Sequence, residues 1–283
     1  MAALLKGKEV VDKLNEELAR RSEELRSEGI TPTLGIVRLG ERPDDLAYER
    51  GALKRAEKTG VAIKQFIFDA DMSQEELLSE IDKINKDSSI SGVLMFRPLP
   101  SQIDDEIVRN ALDPEKDVDG ITDGSMAGTY SGDGKGYPPC TAEACIQILD
   151  HYNIDLKGKN VAVIGRSQVI GKPVSMMLIK RNATVTVCHT KTVDMADICK
   201  DKDIIIAAAG HIDTVTKDFL SPHQVVVDVA INFDDEGNMR GDVDFDAAEP
   251  VVDSITPVPG GVGTVTTSML MKHVIEAAEK NSY

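Results

Sequence analysis

Apolar positions in the first hundred residues switch repeatedly between a helical and an extended period. Val10, Val11, Leu14, Leu18 and Leu25 fall on one face of a helix that ends at Gly29. Thr33 to Leu39 reads as a strand, broken by Gly40-Glu41-Arg42-Pro43, and a second helix is expected from about Asp45 to Lys58, closing at Gly60. Val61 to Phe68 is again strand-like. Ser73, with Glu76 three residues on, makes a capping box for a helix carrying Leu77, Leu78, Ile81 and Ile84. Ile90 to Phe96 predicts another strand, ended by Arg97-Pro98-Leu99-Pro100, and Ile103 to Leu112 a further helix. Strands that alternate with helices in this way imply a parallel sheet covered on both faces.

From Asp113 to Pro139 the texture changes to glycine, proline and acids, which reads as a crossover between domains or a loop over a cleft. Thr141 then caps a helix through about His151. The stretch from Lys159 to Thr192 organises the second half of the chain: strand (Val161 to Ile164), break at Gly165, helix (Val169 to Arg181), strand (Thr184 to Cys188). Such a β-α-β unit leaves a helix N-terminus at the carboxyl edge of the sheet, where unpaired N–H groups can hold a phosphate. Its glycines depart from G-x-G-x-x-G: Ser167 takes the middle place and Gly171 comes one residue late, so an ordinary strand-to-helix connection competes with the phosphate site. His189, Thr190 and Lys191 stand where an NAD site places an acid, and Arg166 lies in the turn itself. Cations and a hydroxyl there favour NADP over NAD, against the plainer view of Arg166 and Lys191 as solvated surface charges. Asp203 to Ala209 and Gln224 to Ile231 are apolar enough for central strands. Three glycines and two prolines within Pro257 to Gly263 suggest backbone brought close to a ligand, before a last helix from Thr264 to Glu279.

A chain of 283 residues is long enough for two modest domains. Its 48 acidic against 32 basic residues argue against nucleic acid and anionic membranes as partners. The opening residues carry charges at helical spacing and no apolar core of the kind a secretion signal needs, and no apolar run approaches membrane-spanning length. Cys140, Cys145, Cys188 and Cys199 form no C-x-x-C pair, so reduced thiols in a cytoplasmic protein are expected, without a metal.

With Pro98-Leu99-Pro100, Asp117-Val118-Asp119-Gly120, Pro139-Cys140-Thr141, Gly165-Arg166-Ser167 with Gly171 and Pro173, and Thr256 to Gly263 (TPVPGGVG) in this order, the chain resembles the bifunctional methylenetetrahydrofolate dehydrogenase/cyclohydrolase family over nearly its whole length. The resemblance implies an α/β fold: an N-terminal folate-binding catalytic α/β domain (residues 1–137 with 264–283), a Rossmann-type NAD(P)-binding domain (138–263), a folate cleft between them, and a homodimer. It further implies that Tyr48 and Asp119 serve catalysis, Tyr48 stacking on the pterin side and Asp119 holding the pterin by hydrogen bonds. Leu99, Pro259, Gly260 and Val262 would line the slot for the tetrahydrofolate substrate. Gly165, Arg166, Ser167, Thr190 and Ile231 would hold NADP, with NAD as the alternative, Ile231 lying near the nicotinamide and Thr266 nearby.

Two departures from the family pattern matter for the chemistry. The family carries Tyr-x-x-x-Lys on its second helix, and here Ala52 follows Tyr48; it carries Gln before the Leu-Pro-Leu-Pro turn, and here Phe96 and Arg97 stand there. Lys54 is rotated about 200° from position 52 on a helix, so it points elsewhere. Asp45 and Thr264 also replace the usual Ser and Pro. Expulsion of a hydride from the methylene bridge is driven by a nitrogen lone pair and needs chiefly positioning. Opening the methenyl bridge needs water and an acid/base, which Ala52 and Phe96 cannot supply. The expectation is therefore an NADP-dependent dehydrogenase with weak or absent cyclohydrolase activity. Its rivals are the full bifunctional enzyme, with Lys54 or Arg97 moving protons, and a folate- or nucleotide-binding protein without catalysis.

Overall fold

The computed structural model describes residues 1–280. In chain order its regular elements are β1 (Ala3–Leu4), α1 (Gly7–Ser27), β2 (Thr33–Leu39), α2 (Pro43–Thr59), β3 (Ala62–Phe68), α3 (Gln74–Lys86), β4 (Gly92–Met95), α4 (Asp105–Ala111), α5 (Asp123–Ser131) and α6 (Cys140–His151). They continue with β5 (Asn160–Ile164), α7 (Gly171–Lys180), β6 (Thr184–Cys188), α8 (Met195–Lys200), β7 (Ile204–Ala207), β8 (Val225–Asp228), β9 (Asn232–Phe233), β10 (Met239–Arg240), α9 (Phe245–Ala248), β11 (Ser254–Ile255) and α10 (Val262–Lys280). Two compact units result, one of residues 13–140 with 267–280, the other of 1–12 with 141–266.

In the first unit β3, β2 and β4 form a three-stranded parallel sheet in that order, with Leu34 opposite both Ile63 and Gly92. β2 and β4 are buried almost throughout, as parallel strands covered by helices must be. Val37, Leu39, Val93 and Met95 pack with Leu77, Ile81 and Ile84 of α3 and Val108 of α4. The capping box on α3 is formed, the Ser73 side chain accepting from the Glu76 N–H and the Glu76 carboxylate from the Ser73 N–H. α2 starts with Pro43 in its first turn and stops at Gly60, whose φ of 74° would strain any other residue.

The second unit holds a six-stranded parallel sheet, ordered β1-β11-β8-β7-β5-β6. Ala162, Ile164, Ile205, Ala207 and Val226 give it a buried apolar face. The neighbours of β5 are β6 and β7, so the chain turns outward and then back across the sheet, the arrangement that opens a crevice at the carboxyl ends of the strands.

Several features differ from the sequence-based expectation, among them the unit boundaries, which fall after residues 140 and 266 instead of 137 and 263. Residues 1–12, placed there with the first domain, join the sheet of the other unit: Ala3 and Leu4 pair in register with Ser254 and Ile255. A two-residue strand carries no periodicity to detect, and its pairing is decided by a segment some 250 residues away. Within the glycine-rich crossover lies a helix, α5, capped by Thr122, whose hydroxyl accepts from the Ser125 N–H at 3.0 Å. Gly128 hides it from propensity, yet that position must be glycine, because a Cβ would stand 1.9 Å from the Lys135 carbonyl oxygen. Residues 281–283, which the domain expectation includes, lie outside the described residues.

A buried ion pair ties α2 to the sheet. Arg38 Nε on β2 donates to Glu49 Oε2 at 2.8 Å, with both side chains at most 7% exposed, and Gln65 on β3 donates to the other carboxylate oxygen. Because Glu49 follows Tyr48, this pair sets the rotation of α2 about its axis. Removing one member of such a pair strands the other charge, so Glu49→Ala is expected to cost about 3–5 kcal/mol in urea unfolding.

Candidate active site

Tyr48, on α2, meets the ring of Phe96 edge-on, with centroids 5.9 Å apart and planes at 83°. Phe96 follows β4 and is only 9% exposed. Ala52, one helical turn beyond Tyr48, is fully buried, whereas Lys54 is exposed. Arg97 is engaged elsewhere: its Nε donates to Asp105 Oδ1 at 2.6 Å and its Nη2 to the other oxygen, and a cis peptide links it to Pro98. Leu99 is partly buried against the core of this unit. Asp45, in the first turn of α2, lies 3.9 Å from Arg42 Nε, and burial pushes its carboxyl up.

The acidic turn is built by its own main chain. Asp117 accepts from the N–H groups of Ile121 and Thr122 at 3.0 and 2.7 Å, and Gly120 is required because a Cβ would lie 2.5 Å from Pro139 N. Asp119, half-buried, has its carboxyl pushed up to about 6, by burial first and by the Asp117 charge second; Cys140, His273 and Arg97 act in the opposite direction. Burial, with Asp119 and Cys140 nearby, likewise pushes the Tyr48 hydroxyl well above its ordinary value. Tyr48, Asp119, Cys140 and Phe96 are thus brought together within one unit. Behind Asp119, the Val118 carbonyl has Cys140 Sγ at 3.3 Å and His273 Nδ1 at 2.8 Å.

In the other unit β5 ends at Gly165, whose φ is 126°. Arg166 and Ser167 are exposed in the turn beyond it, and Thr190 is exposed after β6. Ser167 Oγ accepts from the N–H groups of Ile170 at 3.1 Å and Gly171 at 3.4 Å, so it also shapes the entry to α7. Helix α7 begins at Gly171, two residues later than its apolar pattern suggests, because Gly171 must pack on Gly165: a Cβ there would meet the Gly165 carbonyl oxygen at 2.3 Å. Ile231, half exposed, shares a cavity of about 230 Å³ with Asp228, Pro259, Gly260 and Val262. Val258 and Pro259 are joined by a cis peptide. Thr266 is buried, its hydroxyl donating to the Val262 carbonyl at 3.4 Å. All four cysteines are buried and none is in a disulfide, and no helix among the described residues is long and apolar enough to cross a membrane.

Residues 5–119 match the family model for the tetrahydrofolate dehydrogenase/cyclohydrolase catalytic domain, and residues 139–282 match the model for the NAD(P)-binding domain of the same family. The chain belongs to the tetrahydrofolate dehydrogenase/cyclohydrolase family. It is 48% identical over 276 residues to "Bifunctional protein FolD" of Clostridioides difficile, covering 98% of this chain and 96% of that protein. Its fold matches the bifunctional FolD dehydrogenase/cyclohydrolase of Campylobacter jejuni with a TM-score of 0.95 at 35% identity, covering 99% of each chain. It also matches the Trypanosoma brucei dehydrogenase-cyclohydrolase, solved with NADP cofactor and inhibitor, with a TM-score of 0.91 at 32% identity, covering 99% of this chain and 98% of that one.

Two pairings of side chains in this family enzyme are not marked along the sequence. His273 and Cys140 lie behind Asp119 but are 133 residues apart, on α10 and at the start of α6. Asp228 and Asp242 are buried together, the Asp242 N–H donating to the Asp228 carboxylate across 14 residues. Burial pushes the Asp228 carboxyl up to about 7, against the N–H groups of Asp242 and Val243 and with a smaller push from the Asp242 charge. No periodicity marks any of them.

A carboxyl whose pKa is raised on folding favours the native state below its unfolded value near 4, and that contribution is lost as pH rises through about 6. Asp119→Asn, which stays neutral, is therefore expected to be more stable than the parent by about 1–3 kcal/mol at pH 8 and by nothing at pH 4. Thermal unfolding of both proteins across that range measures the difference.

Proposed function

We propose that the protein is an NADP-dependent 5,10-methylenetetrahydrofolate dehydrogenase, yielding 5,10-methenyltetrahydrofolate, with weak or absent cyclohydrolase activity. The observation that carries the proposal is the surface beside the Tyr48 ring, where Phe96 packs edge-on and the buried Ala52 follows one turn along α2. Neither can give or take a proton, while the exposed Lys54 and the Asp105-bound Arg97 are turned to other surroundings. Hydride departure from the methylene carbon asks for a nicotinamide held in line with it, and no proton acceptor. Hydrolysis of the methenyl bridge asks for an acid/base on the reacting face.

In this reading Tyr48 stacks at the pterin side, Asp119 accepts hydrogen bonds from the pterin, and Leu99, Pro259, Gly260 and Val262 line the folate. Gly165, Arg166, Ser167 and Thr190 hold the phosphates and ribose of NADP, with Ile231 near the nicotinamide. The NADP in the T. brucei relative and the cationic Arg166 and Lys191 support that choice of cofactor. NADP would supply the hydride acceptor; this chain's residues orient the folate and exclude water from the bridge. A cytoplasmic homodimer completes the assignment, and light scattering on the purified protein tests its size.

A second reading, full bifunctionality, is favoured by the names of the relatives and by Asp119, a proton-carrying group beside Tyr48. Supplying methylenetetrahydrofolate with NADP or NAD and following both reduced cofactor and methenyl-folate separates the two. Faster cofactor reduction with NADP and methenyl-folate that decays as in buffer alone are expected. Accelerated decay would install the bifunctional reading, and no reduction with either nucleotide would leave a binding protein. Ala52→Lys with Phe96→Gln is expected to raise hydrolysis by about tenfold or more, and a folded double variant with no gain counts against the division of labour. The folate KM should rise as pH falls through about 6, because a protonated Asp119 loses an acceptor for the pterin.

A further inference from the structure

In the second unit, three successive main-chain N–H groups after β7 point at a side chain instead of solvent. Asp242 Oδ2 accepts from Ala209 at 2.5 Å and Gly210 at 3.0 Å, and Oδ1 accepts from His211 at 2.8 Å. Oδ1 also accepts from the Asn232 side-chain amide at 3.0 Å. Successive amides at the carboxyl edge of a parallel sheet form a concavity suited to an anion. Here the protein fills it with a fully buried carboxylate of its own.

Asp242 is itself held in place. Its N–H and that of Val243 donate to the two oxygens of Asp228, each at 3.0 Å, and its carbonyl accepts from the Val215 N–H at 2.9 Å. Position 241 must be glycine, because a Cβ would lie 1.9 Å from Asp228 Oδ2. The loop that Asp242 grips reaches the glycine turn on one side, where a Cβ on Gly165 would stand 2.0 Å from the Ala208 carbonyl oxygen. On the other side, Asn232 adjoins Ile231, whose Cδ1 would be 3.0 Å from a Cβ on Gly263.

We propose that Asp242 is a positioning residue for the dinucleotide: one carboxylate joins the phosphate turn at Gly165 to the nicotinamide end at Ile231 and holds both in binding geometry before the cofactor arrives. The inference rests on the NADP reading above and adds to it a residue that touches no cofactor. Fixing a loop in advance removes the ordering cost from binding, so its loss appears in nucleotide affinity and in alignment of the hydride acceptor.

The test compares the parent, Asp242→Asn and Asn232→Ala, titrated with NADPH by fluorescence and with 2′,5′-ADP by calorimetry, alongside kcat, the folate KM and amide hydrogen exchange. Asp242→Asn turns an NH₂ toward donors, and is expected to weaken both ligands and lower kcat by at least about tenfold. Its folate KM should stay near that of the parent, and the amides of residues 209–211 should exchange faster while β7 and β8 remain protected. Asn232→Ala removes one donor, so it should weaken NADPH and leave 2′,5′-ADP unchanged. Should Asp242→Asn fail to fold, this selective loss in Asn232→Ala carries the test. A folded Asp242→Asn with parental affinities and exchange, or an Asn232→Ala with parental NADPH affinity, overturns the inference alone. A parent that binds neither probe overturns the NADP reading with it.

Discussion

A side chain at position 165 would place its Cβ 2.0 Å from the carbonyl oxygen of Ala208, and one at position 171 would place its Cβ 2.3 Å from that of Gly165. The carboxyl edge of the six-stranded sheet depends on both being absent. Without them β5 turns sharply into α7, and the segment after β7 lies directly against that turn. The amides of this part-buried segment are then aimed at an acceptor within the protein. Asp242 supplies it, and Asp228 in turn satisfies the N–H groups of Asp242 and Val243. Glycines make the close approach, and buried acids complete the hydrogen bonding that it requires.

The first unit solves a different problem. Its sheet is small, with three strands, and the charged pair of Arg38 and Glu49 locks α2 onto it by hydrogen bonds. That lock presents Tyr48 to Phe96, and burial with the Asp117 charge pushes the nearby Asp119 carboxyl up to about 6. In the proposed function, an apolar ring and a buried methyl beside Tyr48 leave this surface the task of positioning. Asp119, a proton-carrying group close to Tyr48, is also the residue proposed to hold the pterin, so in that reading binding and proton transfer compete for the same carboxylate.

Much of this architecture was legible along the chain. The strands from Thr33 to Leu39 and Thr184 to Cys188 and the capping box at Ser73 follow from local period and local hydrogen bonding. Helix α5 was not legible, because the glycine that its packing demands is the residue that propensity counts against a helix. Strand β1 is not legible for a related reason: two residues hold no pattern, and only the facing β11 makes them a strand.

The sequence by itself determined the alternation of strands and helices, the family, and the absence of Lys and Gln at positions 52 and 96, since each is a property of residue order. Tertiary structure decided which groups carry charge and where. Burial and the Asp117 charge push the Asp119 carboxyl up to about 6, and the surroundings of Asp228, Asp242, Cys140 and His273 arise from contacts between segments far apart in the chain. Local propensity reaches a few residues in either direction. Burial and electrostatics act through space, and only the folded chain brings their partners together.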